Sequence, residues 1–399
     1  MAASLDAILA RNTPAPDQDA AGKVPGAAFI VVNKDGILYN GSAGRINPAL
    51  GSRQWSADTF THVASLTKII TATSIMQLVE RGLVDLDADM RELVPRLGQM
   101  PILRGFTEDE KPILEDHDVP ITLRMLLTHT VGLSYDVIEP DLMRWHNAVG
   151  RKATNLDWSL DGFHTPVLFK PGESFYYGTA IDWAGQALEI ITGKTLGEYM
   201  SENIFDPLGM KDTGFWPEKL PHTADRTATW SYRGEDGSSI APGPQMFAKE
   251  HPVESGGAGL LTTAQDYSKF LHALLTNQIV KKETVDEMFR PQLNEKIARD
   301  SREFANKSLT AVEFGPELKL NYGLSGFINM EDAEGKRKKG SMAWSGMCNS
   351  HWWMDRESGI AAVLVVQLMP FGDPTFVRLF DELERAVYSD LLATAYFGV

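Results

Sequence analysis

The sequence has a single cysteine, Cys348, so it can form neither an internal disulfide bond nor a metal cluster held by several thiolates. It also lacks any run of about 18 apolar residues, the length that a transmembrane helix requires. Residues 1–26 are small, polar and rich in alanine and proline, without the apolar core of a secretory signal peptide. These absences predict a cytoplasmic protein that is not inserted in a membrane.

Positive charge is also scarce, since 38 Lys and Arg stand against 53 Asp and Glu, for a net charge of −15. We therefore expect neither a nucleic acid nor an anionic membrane as a partner. The motifs G-x-S-x-G and H-E-x-x-H are missing, which leaves an α/β-hydrolase or a zinc protease without support. No G-K-[ST] follows the glycines of residues 256–259, so they do not form a phosphate loop. Nothing in the sequence implies a metal or an organic cofactor.

Strand patterns lie near the two ends of the chain. Residues 27–32 and 37–39 are apolar runs joined by a turn that contains Asp-Gly, which predicts a β-hairpin. Residues 350–354 and 360–369 predict a second hairpin in the same way. An antiparallel sheet built from both ends of the chain is therefore expected.

Helical patterns fill the middle of the chain and close it. Apolar residues keep helical spacing in several segments, which are residues 66–81, 122–127, 180–192, 196–204 and 375–392. Together with the terminal strands they predict an α+β protein. We expect a split α/β domain formed by residues 1–83 and 256–399, a mostly helical insertion at 84–255, and an active site between the two.

One short motif carries recognisable chemistry: Ser65-Leu66-Thr67-Lys68 has the form S-x-x-K at the start of an apolar helix. At this spacing the serine hydroxyl and the lysine amine share one helical face. A serine hydroxyl needs a base to become a nucleophile, and a lysine whose ammonium form is destabilised can be that base. Taken alone, the four residues favour a serine that caps the helix and a solvated lysine over a catalytic pair.

Longer segments resemble, in the expected order, the class C β-lactamases, the penicillin-binding proteins and the family VIII carboxylesterases. They are residues 62–68 with 80–87, residues 121–134 and residues 169–178. Further segments are similar to the fungal lovastatin-type transesterases, which acylate monacolin J; these are residues 100–106, 133–135, 181–185 and 367–374. The resemblance implies a β-lactamase/transpeptidase-like fold, an α/β/α sandwich with an antiparallel sheet and an inserted helical domain.

The resemblance also implies roles for individual residues. Ser65 would attack an ester or thioester carbonyl, Lys68 would accept its proton, and Tyr177 would pass a proton between Ser65, the leaving group and the acyl acceptor. Tyr176 is the neighbouring alternative to Tyr177. The backbone N–H groups of Ser65 and Met347 would form the oxyanion hole.

The third motif of the superfamily, K-T-G or W-G-G, is best matched by Trp344-Ser345-Gly346, with Gly346 giving the substrate close access. These three residues are predicted to bind substrate, as are three others: His62, Thr179 and Phe371. Thr179 falls near an asparagine of the β-lactamases, and Trp344 replaces the lysine that meets a β-lactam carboxylate. Both departures favour an uncharged ester over a penicillin-like acid.

Two tempting residues are expected to be structural. His129 lies in an H-T-x-G context that indicates a structural histidine, and Cys348 is expected to be a small buried side chain rather than a nucleophile. Metal ligands are not predicted.

The predicted function is serine-dependent acyl transfer through an acyl-enzyme, as an acyltransferase, transesterase or esterase. The expected substrates are a small-molecule ester and an alcohol, belonging to a fungal polyketide-type secondary metabolite, and an acyl carrier protein is a further candidate as acyl donor. Two alternatives remain open at this point. One is a carboxylesterase that uses water as the acceptor, and the other is a catalytically silent binding protein on the same fold.

Overall fold

The computed structural model describes residues 2–247, 249–308, 314–315 and 317–392. Its strands are β1 (Gly26–Asn33), β2 (Gly36–Gly44), β3 (Thr61–His62), β4 (Ile102–Phe106), β5 (Pro112–Glu115), β6 (Ser231–Arg233), β7 (Ile240–Pro242), β8 (Leu261–Thr262), β9 (Leu320–Tyr322), β10 (Phe327–Asn329), β11 (Met342–Ser345), β12 (His351–Asp355), β13 (Ile360–Val365) and β14 (Leu368–Met369). Its α-helices are α1 (Ala2–Asn12), α2 (Thr67–Glu80), α3 (Leu123–Leu127), α4 (Pro140–Ala148), α5 (Leu160–Phe163), α6 (Ala180–Thr192), α7 (Leu196–Met200), α8 (Asp206–Leu208), α9 (Ala264–Leu275), α10 (Lys282–Met288), α11 (Glu295–Ser308) and α12 (Pro374–Ala386).

The main sheet has seven antiparallel strands in the order β2-β1-β13-β12-β11-β10-β9. The predicted first hairpin is present as β1 and β2, joined by a tight turn at which Asn33 pairs with Gly36. Strand β1 is almost wholly buried, which explains its unbroken apolar run. Because β1 pairs with β13, Ala28 lies opposite Val365. The two ends of the chain therefore meet in the centre of the sheet.

Helices cover both faces of this sheet. On one face Phe380 of α12 contacts His351 and Trp353 of β12, and α1 packs against α12. Side chains alternate along a strand, so Trp352 and its cross-strand partner Trp344 point to the opposite face. There α9 packs on β1 and β13. The predicted α/β/α arrangement with an antiparallel sheet is confirmed, whereas the domain boundaries at residues 83 and 256 stay a prediction.

The predicted second hairpin needs one correction. Strands β12 and β13 pair as expected, but β13 ends at Val365 instead of continuing to Met369. The backbone carbonyl of Gln367 accepts a hydrogen bond from Ser231, and β14 then pairs in parallel with β6. The chain leaves the main sheet here because β12, the partner of β13, begins only at His351.

Helix α2 is buried on all sides from Thr67 to Leu78, as suits the apolar helix expected here. Buried hydroxyl groups of this helix form hydrogen bonds with backbone carbonyls one turn earlier. Thr73 donates to the Ile69 carbonyl at 2.7 Å and Ser74 to the Ile70 carbonyl at 2.9 Å. The start of this helix is therefore fixed deep inside the protein. Among the described residues, no helix combines the length and apolarity needed to cross a membrane.

Candidate active site

Ser65 lies in a single 3₁₀ turn, Ala64–Leu66, that runs directly into α2. The residue before it, Ala64, has a φ of 47°, a left-handed conformation that is unfavourable for a residue with a Cβ. The turn is held by Thr67, whose hydroxyl donates to the Ala64 carbonyl at 2.7 Å, and by Tyr267, whose hydroxyl donates to the Leu66 carbonyl at 2.9 Å. Ser65 remains 8% exposed, at the floor of a cavity.

Lys68 is completely buried and directs its amine at Ser65. Its Nζ lies 3.2 Å from Ser65 Oγ, 3.2 Å from the Tyr135 hydroxyl and 2.7 Å from the Gly257 carbonyl oxygen. An amine that has accepted a proton has three donors, and these three partners could then accept one hydrogen bond each. The arrangement excludes the alternative in which Lys68 is a solvated surface residue.

Tyr177 completes the cluster from the segment before α6. Its hydroxyl donates to Ser65 Oγ at 2.6 Å and accepts a hydrogen bond from Trp344 Nε1 at 3.2 Å. The Lys68 amine lies 4.6 Å from the centre of its ring, close enough to stabilise negative charge on the phenol oxygen. Tyr176, the sequence alternative, points elsewhere and donates to Glu139. The structure therefore brings Ser65, Lys68 and Tyr177 together and leaves Tyr176 out.

Gly346 follows β11 and has a packing role besides the substrate access predicted for it, which stays a prediction. A Cβ at this position would lie 2.4 Å from the Val63 carbonyl oxygen, so glycine is required for the end of β11 to approach the Ser65 turn. This contact is between two backbone segments, not between Gly346 and a substrate. It places Met347 beside Ser65, where both residues line the same cavity. Such a position suits the backbone N–H groups of an oxyanion hole.

Asp182 of α6 is a site residue that the sequence reasoning did not single out. It is 2% exposed, and its Oδ1 accepts hydrogen bonds from the Ser255 hydroxyl at 2.5 Å and from the Gly257 N–H at 3.0 Å. Burial raises the pKa of Asp182, while the nearby Lys68 opposes that rise. Because the Gly257 carbonyl accepts a hydrogen bond from the Lys68 amine, Asp182 holds the residue that in turn holds Lys68. Only the assembled fold brings residues 182 and 257 together, so no local motif could have shown this.

The cavity above Ser65 has a volume of about 250 Å³ and is mainly apolar. Predicted residues that line it are Ser65, Tyr177, Trp344, Ser345, Gly346, Met347 and Phe371. Its apolar wall is completed by Val137, Ile138, Leu156, Trp158, Phe163, Met246, Phe247 and Phe304. Among the described residues that line it, Asp182 is the one with an ionisable acidic or basic side chain. The cavity therefore suits an uncharged substrate.

Two predicted substrate-binding residues lie outside this cavity. Thr179 is fully buried before α6, where its carbonyl accepts the N–H of Asp182 at 3.0 Å and so begins the helix. His62 lies on β3 with its ring enclosed by Trp158, Trp230 and Phe247. As a correction to the prediction, neither residue lines the cavity, because the backbone around Thr179 starts a helix and that around His62 pairs with β8.

His129 and Cys348 have the surroundings of structural residues, as expected. The His129 ring packs against Tyr177 with the ring centres 4.7 Å apart, and burial, with a smaller contribution from Lys68, lowers its pKa well below the usual value. Burial raises the pKa of the Cys348 thiol, which also receives a hydrogen bond from Gln367. A thiol held in its neutral form is a poor nucleophile. Within the described part of the chain, no group of three or more metal-binding side chains is found.

Comparison with known proteins agrees with this geometry. The sequence model described as beta-lactamase matches residues 12–384. The chain is 33% identical over 378 residues to the lovastatin esterase of Penicillium rubens, covering 92% of this chain and 95% of that protein. It is 34% identical over 341 residues to the monacolin J acid methylbutanoyltransferase of Aspergillus terreus, covering 83% and 82%. The unliganded structure of simvastatin synthase from Aspergillus terreus superposes with a TM-score of 0.86 at 30% identity, covering 94% of this chain and 95% of that one. The resemblance inferred from the sequence motifs is confirmed.

Proposed function

Because the chain belongs to the β-lactamase family, and its relatives named above include an esterase and an acyltransferase, we propose that it transfers acyl groups through a Ser65 acyl-enzyme. One observation carries the proposal: the oxygen of Ser65 lies 2.6 Å from the Tyr177 hydroxyl and 3.2 Å from the Lys68 amine at the floor of an apolar cavity. A nucleophile in contact with two groups that can hold its proton is the arrangement that covalent catalysis requires.

In the acylation step, Ser65 Oγ attacks the carbonyl carbon of an ester or thioester while its proton moves to the neutral amine of Lys68. The backbone N–H groups of Ser65 and Met347 stabilise the resulting oxyanion. As the carbon–oxygen or carbon–sulfur bond breaks, the Tyr177 hydroxyl gives its proton to the leaving group. The Trp344 N–H then stabilises the tyrosinate, and the ammonium of Lys68 is held by Gly257 and Tyr135.

Deacylation runs through the same groups in reverse. The tyrosinate of Tyr177 takes the proton of the incoming alcohol or water, whose oxygen attacks the acyl carbon. The bond from that carbon to Ser65 Oγ then breaks, and Lys68 returns its proton to the serine. Ester hydrolysis and transesterification differ only in the acceptor, so one site serves both.

The substrate proposal combines the cavity with the relatives. An apolar cavity of about 250 Å³ without a basic lining residue among those described favours an uncharged ester over a carboxylate. The relatives are named for lovastatin and monacolin J acid, which supports a fungal polyketide-type metabolite as substrate. Hydrolysis is the second candidate, favoured by the lovastatin esterase match. An acyl carrier protein as donor stays a prediction, as does the cytoplasmic location.

Intact-mass spectrometry after brief incubation with a butyryl thioester tests the mechanism. The wild-type protein should gain one butyryl group, and Ser65→Ala should gain none. Ser74→Ala is a matched control, because Ser74 lies on the same helix and donates only to the Ile70 carbonyl in the described structure. Adding candidate alcohols shows which acceptor removes the group. Unchanged acylation of Ser65→Ala, or no acylation of a folded wild-type protein by any thioester or activated ester, would contradict the proposal.

A further inference from the structure

A second cavity lies directly behind the wall of the catalytic cavity. Its volume is about 270 Å³, close to the 250 Å³ of the first, and the two share one lining residue, Trp158. The Trp158 indole stacks on Phe247 with the ring centres 4.6 Å apart, and Phe247 in turn packs against His62 of the second cavity at 4.6 Å. A thin layer of aromatic rings therefore separates two spaces of similar size.

Trp158 is held in this position by an unusual backbone conformation. Its φ and ψ are 43° and 59°, in the left-handed region that a bulky residue rarely occupies. The conformation is secured by the N–H of Val253, which donates to the Trp158 carbonyl at 3.1 Å. Strain of this kind persists only where the surrounding structure imposes it, and it is concentrated at functional sites. The strain here aims the indole between the two cavities.

The second cavity has a mixed lining, in which apolar residues, Phe215, Pro217 and Leu261, lie beside polar ones, Glu218, Gln245, Lys249 and His251. His62 is 3% exposed and lines this cavity, and neither of its ring nitrogens has a hydrogen-bond partner among the described residues. Burial, with a smaller contribution from His251, lowers the pKa of His62 to about 3, so the ring is neutral at physiological pH. A neutral imidazole can donate one hydrogen bond and accept another. The far side of the wall therefore offers space, an uncharged imidazole ring and an apolar surface formed by Phe215, Pro217 and Leu261.

We propose that Trp158 is the specificity-determining partition of the acyl-transfer site, and that it restricts the substrate to short or compact hydrocarbon groups by closing off the second cavity. The inference rests on the proposed function, since it concerns the substrate of the same Ser65 site. The excluded group is a longer hydrocarbon chain, carried by either the acyl donor or the alcohol acceptor. Removing the indole joins the two cavities and lets such a chain extend toward His62.

The size of the effect follows from burial of apolar surface. Each methylene group that leaves water for an apolar site improves binding about fourfold. A chain that extends two methylenes along the apolar side of the second cavity, formed by Phe215, Pro217 and Leu261, should therefore gain up to roughly fifteenfold in kcat/KM. The wild-type protein cannot obtain this gain, so its kcat/KM should stop rising once the first cavity is filled.

Trp158→Gly is the decisive variant, because glycine adopts the left-handed conformation without strain and the backbone at this site is preserved. The experiment measures kcat/KM for p-nitrophenyl esters from acetate to dodecanoate, and separately for primary alcohols of increasing length with butyrate as the fixed acyl group. We expect the optimum in one series to move to longer chains, with at least a tenfold gain for the decanoyl ester or for decanol. The series that responds identifies which group lies against the partition.

Two controls separate the partition from a simple enlargement. Trp158→Phe keeps an aromatic ring against Phe247 and should retain the wild-type optimum. Leu156→Ala enlarges only the catalytic cavity, because Leu156 does not line the second one, and should extend the optimum by no more than one or two methylenes. If Trp158→Gly does not fold, Phe247→Ala removes the other ring of the wall and carries the same expectation.

The outcomes distinguish this inference from the proposed function. If Ser65 is acylated by the butyryl ester but the opened variant keeps the wild-type optimum in both series, the partition is refuted and the mechanism stands. If Ser65 is not acylated at all, the proposed function fails first. A shift of equal size in Trp158→Phe would also overturn the inference, because the wall would then still be present.

Discussion

Tyr177→Phe tests whether one hydroxyl serves both chemistry and packing. The substitution removes the group that donates to Ser65 Oγ at 2.6 Å and accepts from Trp344 Nε1 at 3.2 Å. A positioned general acid–base residue contributes about 10²–10⁴ in rate, so kcat/KM for p-nitrophenyl butyrate should fall by that factor. Tyr176→Phe is the matched control and should stay within threefold of wild type, because its hydroxyl contacts Glu139 and not Ser65.

The same variant carries a separate prediction for stability. Trp344 is 2% exposed, so its indole N–H loses its acceptor without gaining water. An unsatisfied buried donor costs about 1–3 kcal/mol, and the free energy of unfolding of Tyr177→Phe should fall by that amount. Replacing both partners by apolar groups is close to neutral for the hydrogen bond. The double variant with Trp344→Phe should therefore lose less unfolding free energy than the sum of the losses in the two single variants. Its activity should remain low.

Urea unfolding at pH 7 and steady-state kinetics on the four proteins of this cycle give both quantities. Additive losses of stability would show that the Trp344–Tyr177 hydrogen bond is not formed. If Tyr177→Phe retains kcat/KM within threefold of wild type, or if Tyr176→Phe loses as much activity, the assignment of Tyr177 as the proton carrier is wrong.

Three further predictions concern the oxyanion hole, the buried histidine and substrate charge. Gly346→Ala places a Cβ 2.4 Å from the Val63 carbonyl oxygen, which should displace the Met347 N–H. The kcat for p-nitrophenyl butyrate should then fall by about 10²–10³, the loss expected when one oxyanion donor is removed. A wild-type kcat would contradict this. The pKa of His62 is lowered to about 3, so below pH ~6.5 the unfolded chain binds a proton that the folded protein does not, and stability falls by about 1.4 kcal/mol per pH unit between these values. Between pH 7 and 5, His62→Phe should accordingly lose about 2 kcal/mol less than wild type in urea unfolding, and equal losses would refute the neutral state of the ring. The β-lactam nitrocefin should have a kcat/KM at least about 10²-fold below that of p-nitrophenyl butyrate. Trp344 offers no positive charge to the nitrocefin carboxylate, and an unpaired buried charge costs roughly 3–5 kcal/mol. Comparable values of kcat/KM would contradict the preference for uncharged esters.

The local parts of the site were predictable from the sequence. Ser65 and Lys68 are separated by one helical turn, so their contact follows from the helix alone. The β1–β2 hairpin follows in the same way from its Asp-Gly turn. Tyr177 is distant in the sequence, and only its resemblance to a known motif connected it with Ser65.

The parts that sequence reasoning missed depend on contacts between distant segments. Asp182 reaches Lys68 through the Gly257 turn, and Tyr135 meets the same amine, but none of these residues has a local pattern that reveals the contact. Gly346 was linked to substrate access, and the sequence did not show that its lack of a Cβ also serves the approach of two backbone segments. Trp158 resembles an ordinary core aromatic until its left-handed φ is known. In each case tertiary packing decides the role.

The pairing of β1 with β13 determines when this protein can become active during its synthesis. Ribosomes add about 5–20 residues per second, so β1 is made tens of seconds before β13, which pairs with one of its edges. Ser65 is likewise made long before Met347, the residue predicted to help it hold an oxyanion. A nascent chain released before β11 emerges would carry Ser65, the proposed nucleophile, without Met347, so we expect no catalysis until this part of the sheet has been made.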